Sequence, residues 1–212
     1  MAISGRLFIA RHGETVFNAC RRMQGQFHTH TPLTRAGFAQ ADAMGEALAR
    51  WLGTGQALEL WSSTAGRALQ TMAVIAEHIG ADWHMANRDD RLQEIDVGDW
   101  SGRTYAEIQQ ENGAFLDMES GVFTTIAPGG ESYGDVATRL QSWLDDLSPF
   151  PADRLVVMHG MSSRVLRGLL LGLEPDPRFG VPIAPGLPQG SLVMIGGGVE
   201  KVIRTDSTGD TE

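Results

Sequence analysis

The sequence of 212 residues contains one cysteine, Cys20, and one lysine, Lys201. A single cysteine excludes an intramolecular disulfide. Cys20 also lies in the run Asn18-Ala19-Cys20-Arg21-Arg22, which lacks the Cys-loop-Arg arrangement that a cysteine nucleophile would need. With so little lysine, any anion site must be built from arginine, histidine and backbone amides, and arginine offers a rigid bidentate fork.

Long hydrophobic runs and a surplus of positive charge are missing as well. No stretch approaches 18 apolar residues, and Met1 to Ala10 has neither a basic start nor a long apolar core. We therefore expect no transmembrane span, no signal peptide and a cytoplasmic location. The formal net charge of −9 disfavours binding to nucleic acid or to an anionic membrane. With 42% hydrophobic residues, the composition is that of an ordinary globular domain.

Apolar periodicity predicts strands that alternate with helices. Short apolar runs predict strands at 6–10, 57–61 and 155–158, a third, short strand at 83–85, and a terminal hairpin at 191–195 and 199–203. Helical spacing predicts helices at 34–53, 65–80, 105–110, 131–147 and 165–170. Residues 113–129 are predicted to be irregular, and 174–188 to form a loop rich in proline and glycine.

This alternation predicts an α/β fold, a three-layer sandwich with a mostly parallel sheet and helices on both faces. We expect a single domain over residues 1–205, with a lid insertion around 104–127. The polar residues 206–212 are expected to be a flexible acidic tail. A homodimer through a sheet edge is a further hypothesis.

Polar side chains follow three of the predicted strands, at the points where the strands end. In open α/β sheets the ligand site lies beyond the carboxyl ends of the strands. We therefore expect these side chains to share one crevice: Arg11 and His12, then Ser62, Ser63 and Arg67, and finally His159.

His12 is the candidate nucleophile. A neutral imidazole can attack phosphorus and hold the phosphoryl group, provided that its other nitrogen donates to a backbone carbonyl. The phosphoryl oxygens also need positive partners, which Arg11, Arg67 and His159 could supply, while Gly13 and Gly160 would allow a close backbone approach. The competing interpretation is that His12 and His159 are buried histidines satisfied by backbone groups.

The motifs of this chain, taken in order, resemble those of the histidine phosphatase superfamily, which includes cofactor-dependent phosphoglycerate mutase. The similar segments are Arg11-His12-Gly13-Glu14-Thr15 with Asn18, Gln24-Gly25, Pro32-Leu33-Thr34, Ser62-Ser63 with Arg67 and Gln70-Thr71, Leu92-Gln93-Glu94 with Gly98, Trp100 and Gly102, Gly129-Gly130-Glu131-Ser132, and His159-Gly160. The resemblance implies a phosphoglycerate mutase-like fold.

The resemblance also implies a role for each matching residue. His12 would be phosphorylated, and Arg11, Arg67 and His159 would bind the phosphoryl group. Asn18, Gln24, Gly25 and Gly160 would complete the substrate site. Glu94 would be the general acid, since a leaving alkoxide needs a proton. From the residues alone, Asp96 and Asp99 are rivals for that last role.

The chain departs from the family pattern before Pro32, where an aspartate is common and His28-Thr29-His30-Thr31 stands instead. His28 and His30 could form half of a metal site. No carboxylate or third histidine stands at ligand spacing, and the mechanism needs no metal, so we expect neither a metal nor a cofactor.

The segment after the Glu94 motif favours a phosphatase over a mutase. Mutases bind a second anionic group there with basic residues, whereas residues 104–127 contain no Lys, Arg or His and four acidic residues, Glu107, Glu111, Asp117 and Glu119. We therefore predict a phosphomonoester hydrolase that acts on a small phosphorylated metabolite through a phosphohistidine intermediate. The alternatives are phosphoglycerate mutase-type phosphoryl transfer and a non-catalytic protein that binds a phosphorylated ligand.

Overall fold

A central sheet organises the chain in the computed structural model, which describes residues 5–53, 57–147 and 152–205. The predicted acidic tail at 206–212 lies outside the described residues. In chain order the elements are β1 (Leu7–Arg11), α1 (Val16–Ala19), α2 (Arg35–Leu52), β2 (Glu59–Ser62), α3 (Gly66–His78), β3 (Asn87–Arg88), α4 (Tyr105–Asn112), α5 (Tyr133–Asp146), β4 (Arg154–Met158), α6 (Gly160–Leu171), β5 (Leu192–Gly196) and β6 (Val199–Ile203).

The described strands pair in the order β3-β2-β4-β1-β5-β6. The first four are mutually parallel, and β5 and β6 are added antiparallel. The predicted α/β class and mostly parallel sheet are thus confirmed. The hairpin from β5 to β6 turns at Gly197 and Gly198, whose φ values of 58° and 74° suit the glycine-rich turns that connect twisted strands.

Each central strand sends alternate side chains to opposite faces of the sheet. In β1, Phe8 and Ala10 pack with α2 and α3, whereas Leu7 and Ile9 pack with α5 and α6. Because both faces are covered, β1 and β4 are nearly continuous runs of buried apolar residues, as expected for parallel strands. This arrangement confirms the three-layer sandwich.

Polar side chains fix the starts of the helices. Thr34 caps α2 by accepting from the N–H of Gly37, and Ser132 forms a capping box with Asp135 at the start of α5. A close backbone approach then places α2 against the end of β1. A Cβ on Gly13 would lie 2.2 Å from the carbonyl oxygen of Gly37, so no larger residue fits at Gly13.

The short strand predicted at 83–85 is wrong, because Trp83–Met85 forms a 3-10 turn and the strand follows at Asn87–Arg88. The side chain of Asp82 accepts from the N–H of His84 and starts the turn. Three residues are also too few for the alternation of strand side chains to be recognised.

The irregular stretch predicted at 113–129 is confirmed, apart from an isolated bridge between Leu116 and Phe123. No helix among the described residues is both long and apolar enough to cross a bilayer.

Candidate active site

The ends of three adjacent parallel strands form the floor of the site. β4 lies between β2 and β1, so the residues that follow these strands meet at one edge of the sheet. The N–H of Ser63 donates to the carbonyl of Val157, and the N–H of His12 donates to that of Met158, both at 3.0 Å. As a result, the rings of His12 and His159 lie edge to face with centroids 5.1 Å apart.

His12 is held as a neutral imidazole. Its Nδ1 lies 2.7 Å from the carbonyl oxygen of Gly13, and because a carbonyl can only accept, Nδ1 carries the proton and Nε2 is free. Burial, and then the positive charges of Arg67 and Arg11, lower the pKa of His12 well below its usual value. The unprotonated Nε2 that a nucleophile needs is therefore present at neutral pH.

Arg67 and His159 form a buried pair beneath His12. They are 1% and 0% exposed, and the Nε–H of Arg67 donates to Nδ1 of His159. Nε2 of His159 then donates to Oγ of Ser63 at 2.7 Å. Burial lowers the pKa of Arg67 to about 10, which leaves the guanidinium charged at neutral pH.

Two buried arginine nitrogens have no hydrogen-bond partner among the described residues: Nε of Arg11 and Nη1 of Arg67. Each side chain is anchored through another of its nitrogens, since Arg11 Nη1 donates to the carbonyl of Leu187 and Arg67 Nη2 to that of Gly25. A buried donor without a partner costs about 1–3 kcal/mol. Phosphoryl oxygens would satisfy both donors.

Glu94 is fixed against the first turn of α6. Its Oε1 accepts from the N–H groups of Ile95, Met161 and Ser162 at 2.9–3.1 Å, while within the described part of the chain Oε2 accepts only from Met161, at 3.1 Å. The first amides of a helix have no partner within the helix, and here they hold the carboxyl group of Glu94. Oε2 is the less occupied oxygen.

A cavity of about 280 Å³ opens above His12. Of the predicted site residues, six line it: Arg11, His12, Asn18, Gln24, Glu94 and Gly160. Arg67, His159 and Gly25 are absent from its lining. The rivals of Glu94, Asp96 and Asp99, are also absent from the lining. The structure thus brings one of the three candidate carboxylates into the cavity.

The amide of Asn18 is oriented by its neighbours. Its Oδ1 accepts from the N–H and the hydroxyl of Thr15 and from Nε2 of Gln189. Thr15 and Asn18 also form the capping box of α1, a short helix that apolar periodicity did not predict. Gln24 contacts the same hydroxyl of Thr15 through Oε1.

Arg164 of α6 was missed by the sequence analysis, and it lines the same cavity. Apolar periodicity placed this helix without assigning its polar residues. A signal was available, because Arg164 stands four residues after Gly160, and residues with this spacing share one face of a helix.

A brace behind Glu94 was also missed. Glu131 accepts from the N–H of Asp96 and pairs with Arg139, and Arg139 and Gln26 both donate to the carbonyl of Glu94. Apart from the pair of Glu131 and Arg139, which are eight residues apart, these contacts join residues that lie 35 to 68 positions apart, so no local pattern in the sequence shows them. These contacts set the position of the Glu94 backbone.

The acidic residues of the 104–127 segment do not face the cavity. Glu107 caps α4 through Thr104, Glu111 pairs with Arg103, and Asp117 pairs with Arg178. The segment contributes Tyr105, Ser120, Gly121 and Phe123 to the lining instead. The basic residue at this part of the lining is Arg164, which comes from α6 and not from the segment.

Among the described residues there is no cluster of three or more His, Cys, Asp or Glu side chains suited to a metal ion. The ring of His28 packs on that of Phe17, with centroids 4.9 Å apart. The hypothetical half-site of His28 and His30 is thus not completed by a third ligand in this part of the chain.

Known proteins similar to this chain belong to one family. The model of the histidine phosphatase superfamily (branch 1) matches residues 7–195. The chain is 34% identical over 171 residues to a protein of Salmonella paratyphi C named as a probable phosphoglycerate mutase, GpmB, with 79% of this chain and 75% of that protein covered.

Solved structures give the same result. A mycobacterial glucosyl-3-phosphoglycerate phosphatase in complex with VO3 superposes with a TM-score of 0.72 at 30% identity, covering 94% of this chain and 97% of that chain. The Bacillus stearothermophilus protein YhfR superposes with a TM-score of 0.72 at 29% identity, covering 97% and 98%. From the extent of the family match, the identity to its members and the shared fold, we conclude that the chain belongs to the histidine phosphatase superfamily, branch 1.

Proposed function

We propose that the protein is a phosphomonoester hydrolase that acts on a small phosphorylated metabolite through a phosphohistidine at His12. One observation carries this proposal: the free Nε2 of a neutral His12 lies in a site where buried donors of Arg11 and Arg67 lack partners among the described residues. A nucleophile and unsatisfied cationic donors in one site are what phosphoryl transfer requires.

The reaction has two steps. In the first, Nε2 of His12 attacks phosphorus, the bond from phosphorus to the ester oxygen breaks, and Oε2 of Glu94 gives its proton to the leaving oxygen. In the second, Glu94 takes a proton from water, the water oxygen bonds to phosphorus, and the phosphorus–nitrogen bond breaks. Together the two steps convert the phosphate ester and water into an alcohol and inorganic phosphate.

The remaining predicted residues have supporting roles in this scheme. Arg11 and Arg67 stabilise the charge that spreads over the phosphoryl oxygens. Since Oδ1 of Asn18 is occupied, its amide nitrogen is the group that donates to substrate, and Gln24 lies beside it. His159 and the carbonyl of Gly25 position Arg67, and Gly160 leaves room for Arg11, whose Cζ lies 3.2 Å from where a Cβ would stand.

The test is hydrolysis of a phosphomonoester panel in the presence of EDTA. Because the arginines supply the positive charge, we expect turnover to survive chelation. His12→Ala should lower kcat by at least about a thousandfold, and His84→Asn, which changes an exposed histidine, should not. Activity that persists in His12→Ala contradicts the proposal, and activity lost to EDTA and restored by a divalent metal contradicts metal independence.

Two further measurements bear on the intermediate. Vanadate should inhibit competitively, since it mimics five-coordinate phosphorus, and a vanadium species was bound to the mycobacterial neighbour. Brief reaction with labelled substrate should leave an acid-labile label on the wild type and none on His12→Ala. An acid-stable label would contradict a phosphorus–nitrogen bond.

The identity to a probable phosphoglycerate mutase supports a second candidate, transfer of the phosphoryl group to another phosphoglycerate. The two are separated by measuring, with the same enzyme and substrate, phosphate release to water and isomer formation. A faster isomer formation would favour the mutase.

A further inference from the structure

Arg164 is a buried cation for which the described part of the chain provides no counter-ion. It is 6% exposed, and no carboxylate among the described residues forms an ion pair with it. Tyr133, Arg167, Arg11 and Arg178 are the charged or titratable groups that act on it, and three of these are cations. A buried charge is strongly disfavoured unless it is paired, so the free protein holds this residue at a cost.

The direction of the Arg164 side chain is fixed by the 174–188 loop. Its Nε donates to the carbonyl of Ala184 at 2.8 Å, and the N–H of Ala184 donates back to the carbonyl of Arg164 at 2.9 Å. Nη1 and Nη2 have no hydrogen-bond partner among the described residues. The guanidinium is therefore anchored through Nε. Its outer edge, formed by Nη1 and Nη2, is available to a ligand.

The neighbouring Arg167 provides an internal comparison. It is 1% exposed and also lies on α6, but Glu200 accepts from both its Nε and its Nη2, and the carbonyl of Pro185 accepts from Nη1. The fold thus satisfies one buried arginine of α6 completely and leaves the other with an open edge.

That open edge belongs to the cavity above His12. Arg164 lines it together with Gly121 and Gly186, and its Nη1 lies 3.9 Å from where a Cβ on either glycine would stand. Gly160, one helical turn earlier on α6, lies against the guanidinium of Arg11. Since one turn rises about 5.4 Å, Arg164 lies about that far along the helix from the phosphoryl site.

We propose that Arg164 binds a carboxylate carried by the substrate beside its phosphoryl group, and so selects phosphomonoesters that have a second anion about one helical turn away. The proposal rests on the hydrolase function proposed above and names its substrate class. The planar fork of an arginine matches the two oxygens of a carboxylate.

The test compares 3-phosphoglycerate with glycerol 3-phosphate, which differ only in a carboxylate that replaces a hydroxymethyl group. The wild type should have a kcat/KM higher for 3-phosphoglycerate by on the order of tenfold. Arg164→Met should abolish this ratio. Arg50→Met, the same change at an exposed position of α2, should keep it.

A wild type with equal kcat/KM for the two substrates overturns the proposal, and so does an Arg164→Met variant that keeps the ratio. An equal wild-type ratio overturns the proposal without any variant, and if Arg164→Met does not fold, a ratio that is unchanged in Arg164→Lys overturns it as well. An Arg164→Lys variant adds a second readout, because lysine keeps the charge but not the fork, and we expect it to retain part of the preference.

A third substrate separates this proposal from the hydrolase function. If p-nitrophenyl phosphate is hydrolysed but the carboxylate gives no advantage, the role of Arg164 is overturned and the hydrolase stands. If no phosphomonoester is hydrolysed, the proposed hydrolase function is wrong. The role of Arg164 is then decided by calorimetric measurement of the affinities for 3-phosphoglycerate and glycerol 3-phosphate. Tighter binding of 3-phosphoglycerate that disappears in Arg164→Met supports the role of Arg164, and equal affinities overturn it.

Discussion

The Nε–H of Arg67 donates to Nδ1 of His159 across 3.2 Å. An arginine nitrogen can only donate, so Nδ1 of His159 must be unprotonated. The cation therefore selects the neutral ring, in which the proton is on Nε2. Burial, and then the charge of Arg67, lower the pKa of His159 well below its usual value, as they do for His12.

These two histidines make stability depend on pH. The unfolded chain gains a proton at each histidine as the pH falls below about 6.5, whereas the folded protein does not, because both folded pKa values are lowered. The two neutral histidines therefore do not lower the free energy of unfolding above about pH 6.5. Below it, the free energy of unfolding should fall by up to about 1.4 kcal/mol per pH unit for each histidine.

Denaturant titrations between pH 7.5 and 5.5 measure this slope. His159→Asn should reduce it by about the share of one histidine, and His84→Asn, at an exposed position, should leave it as it is. A free energy of unfolding that does not fall below pH 6.5 would contradict the neutral state of the pair.

Ser63→Ala should destabilise the protein by about 1–3 kcal/mol, since it leaves the buried Nε2–H of His159 without an acceptor. The serine hydroxyl lies 2.7 Å from that nitrogen. Ser101→Ala is the matched control, because Oγ of Ser101 is buried without a partner among the described residues. Equal changes in the free energy of unfolding would mean that the hydroxyl of Ser63 does not hold the ring.

Glu94→Gln should slow the hydrolysis of alkyl phosphates much more than the hydrolysis of p-nitrophenyl phosphate. An alkoxide needs a proton to leave, whereas nitrophenolate leaves without one, and general acid catalysis is worth about 10²–10⁴-fold. The assay is kcat for both substrates at the pH optimum. Asp96→Asn, which alters a carboxylate outside the cavity lining, serves as control. A loss that is equal for the two leaving groups would argue against proton donation by Glu94.

Asp117→Asn should raise KM by about two- to fivefold with a smaller effect on kcat. Asp117 of the 104–127 segment accepts from Nη1 of Arg178 in the 174–188 loop at 2.8 Å, and these two segments border the cavity. The guanidinium holds the pKa of Asp117 well below its usual range, so the effect should not depend on pH near neutrality.

Asp176→Asn is the matched control for that bridge, since Asp176 pairs with Arg178 inside the loop and connects no second segment. Raising the ionic strength should raise the KM of the wild type towards that of Asp117→Asn, because the ion pair is partly exposed and salt screens it. An unchanged KM in Asp117→Asn at low salt would show that the bridge does not shape the site.

The positions of the strands and most helices follow from the chain itself. Phe8 to Ala10 and Leu155 to Met158 are buried on both faces, and such apolar runs predict central parallel strands without further information. The helix of Trp83–Met85 was not predictable in this way, because a hydrogen bond from His84 to Asp82 outweighs a pattern only three residues long. In such a short segment, a local polar contact determines whether the chain forms a turn or a strand.

For the site, the sequence placed His12, Arg67 and His159 after strands, and with the family resemblance it selected Glu94 over Asp96 and Asp99. Only the tertiary structure placed Arg164 in the cavity and turned the carboxylates of the 104–127 segment away from it. Residue types and spacing fix which groups follow a strand. Which of them meet, and which charges remain unpaired, depends on contacts between residues far apart in the chain, such as Arg164 with Ala184 and Arg178 with Asp117.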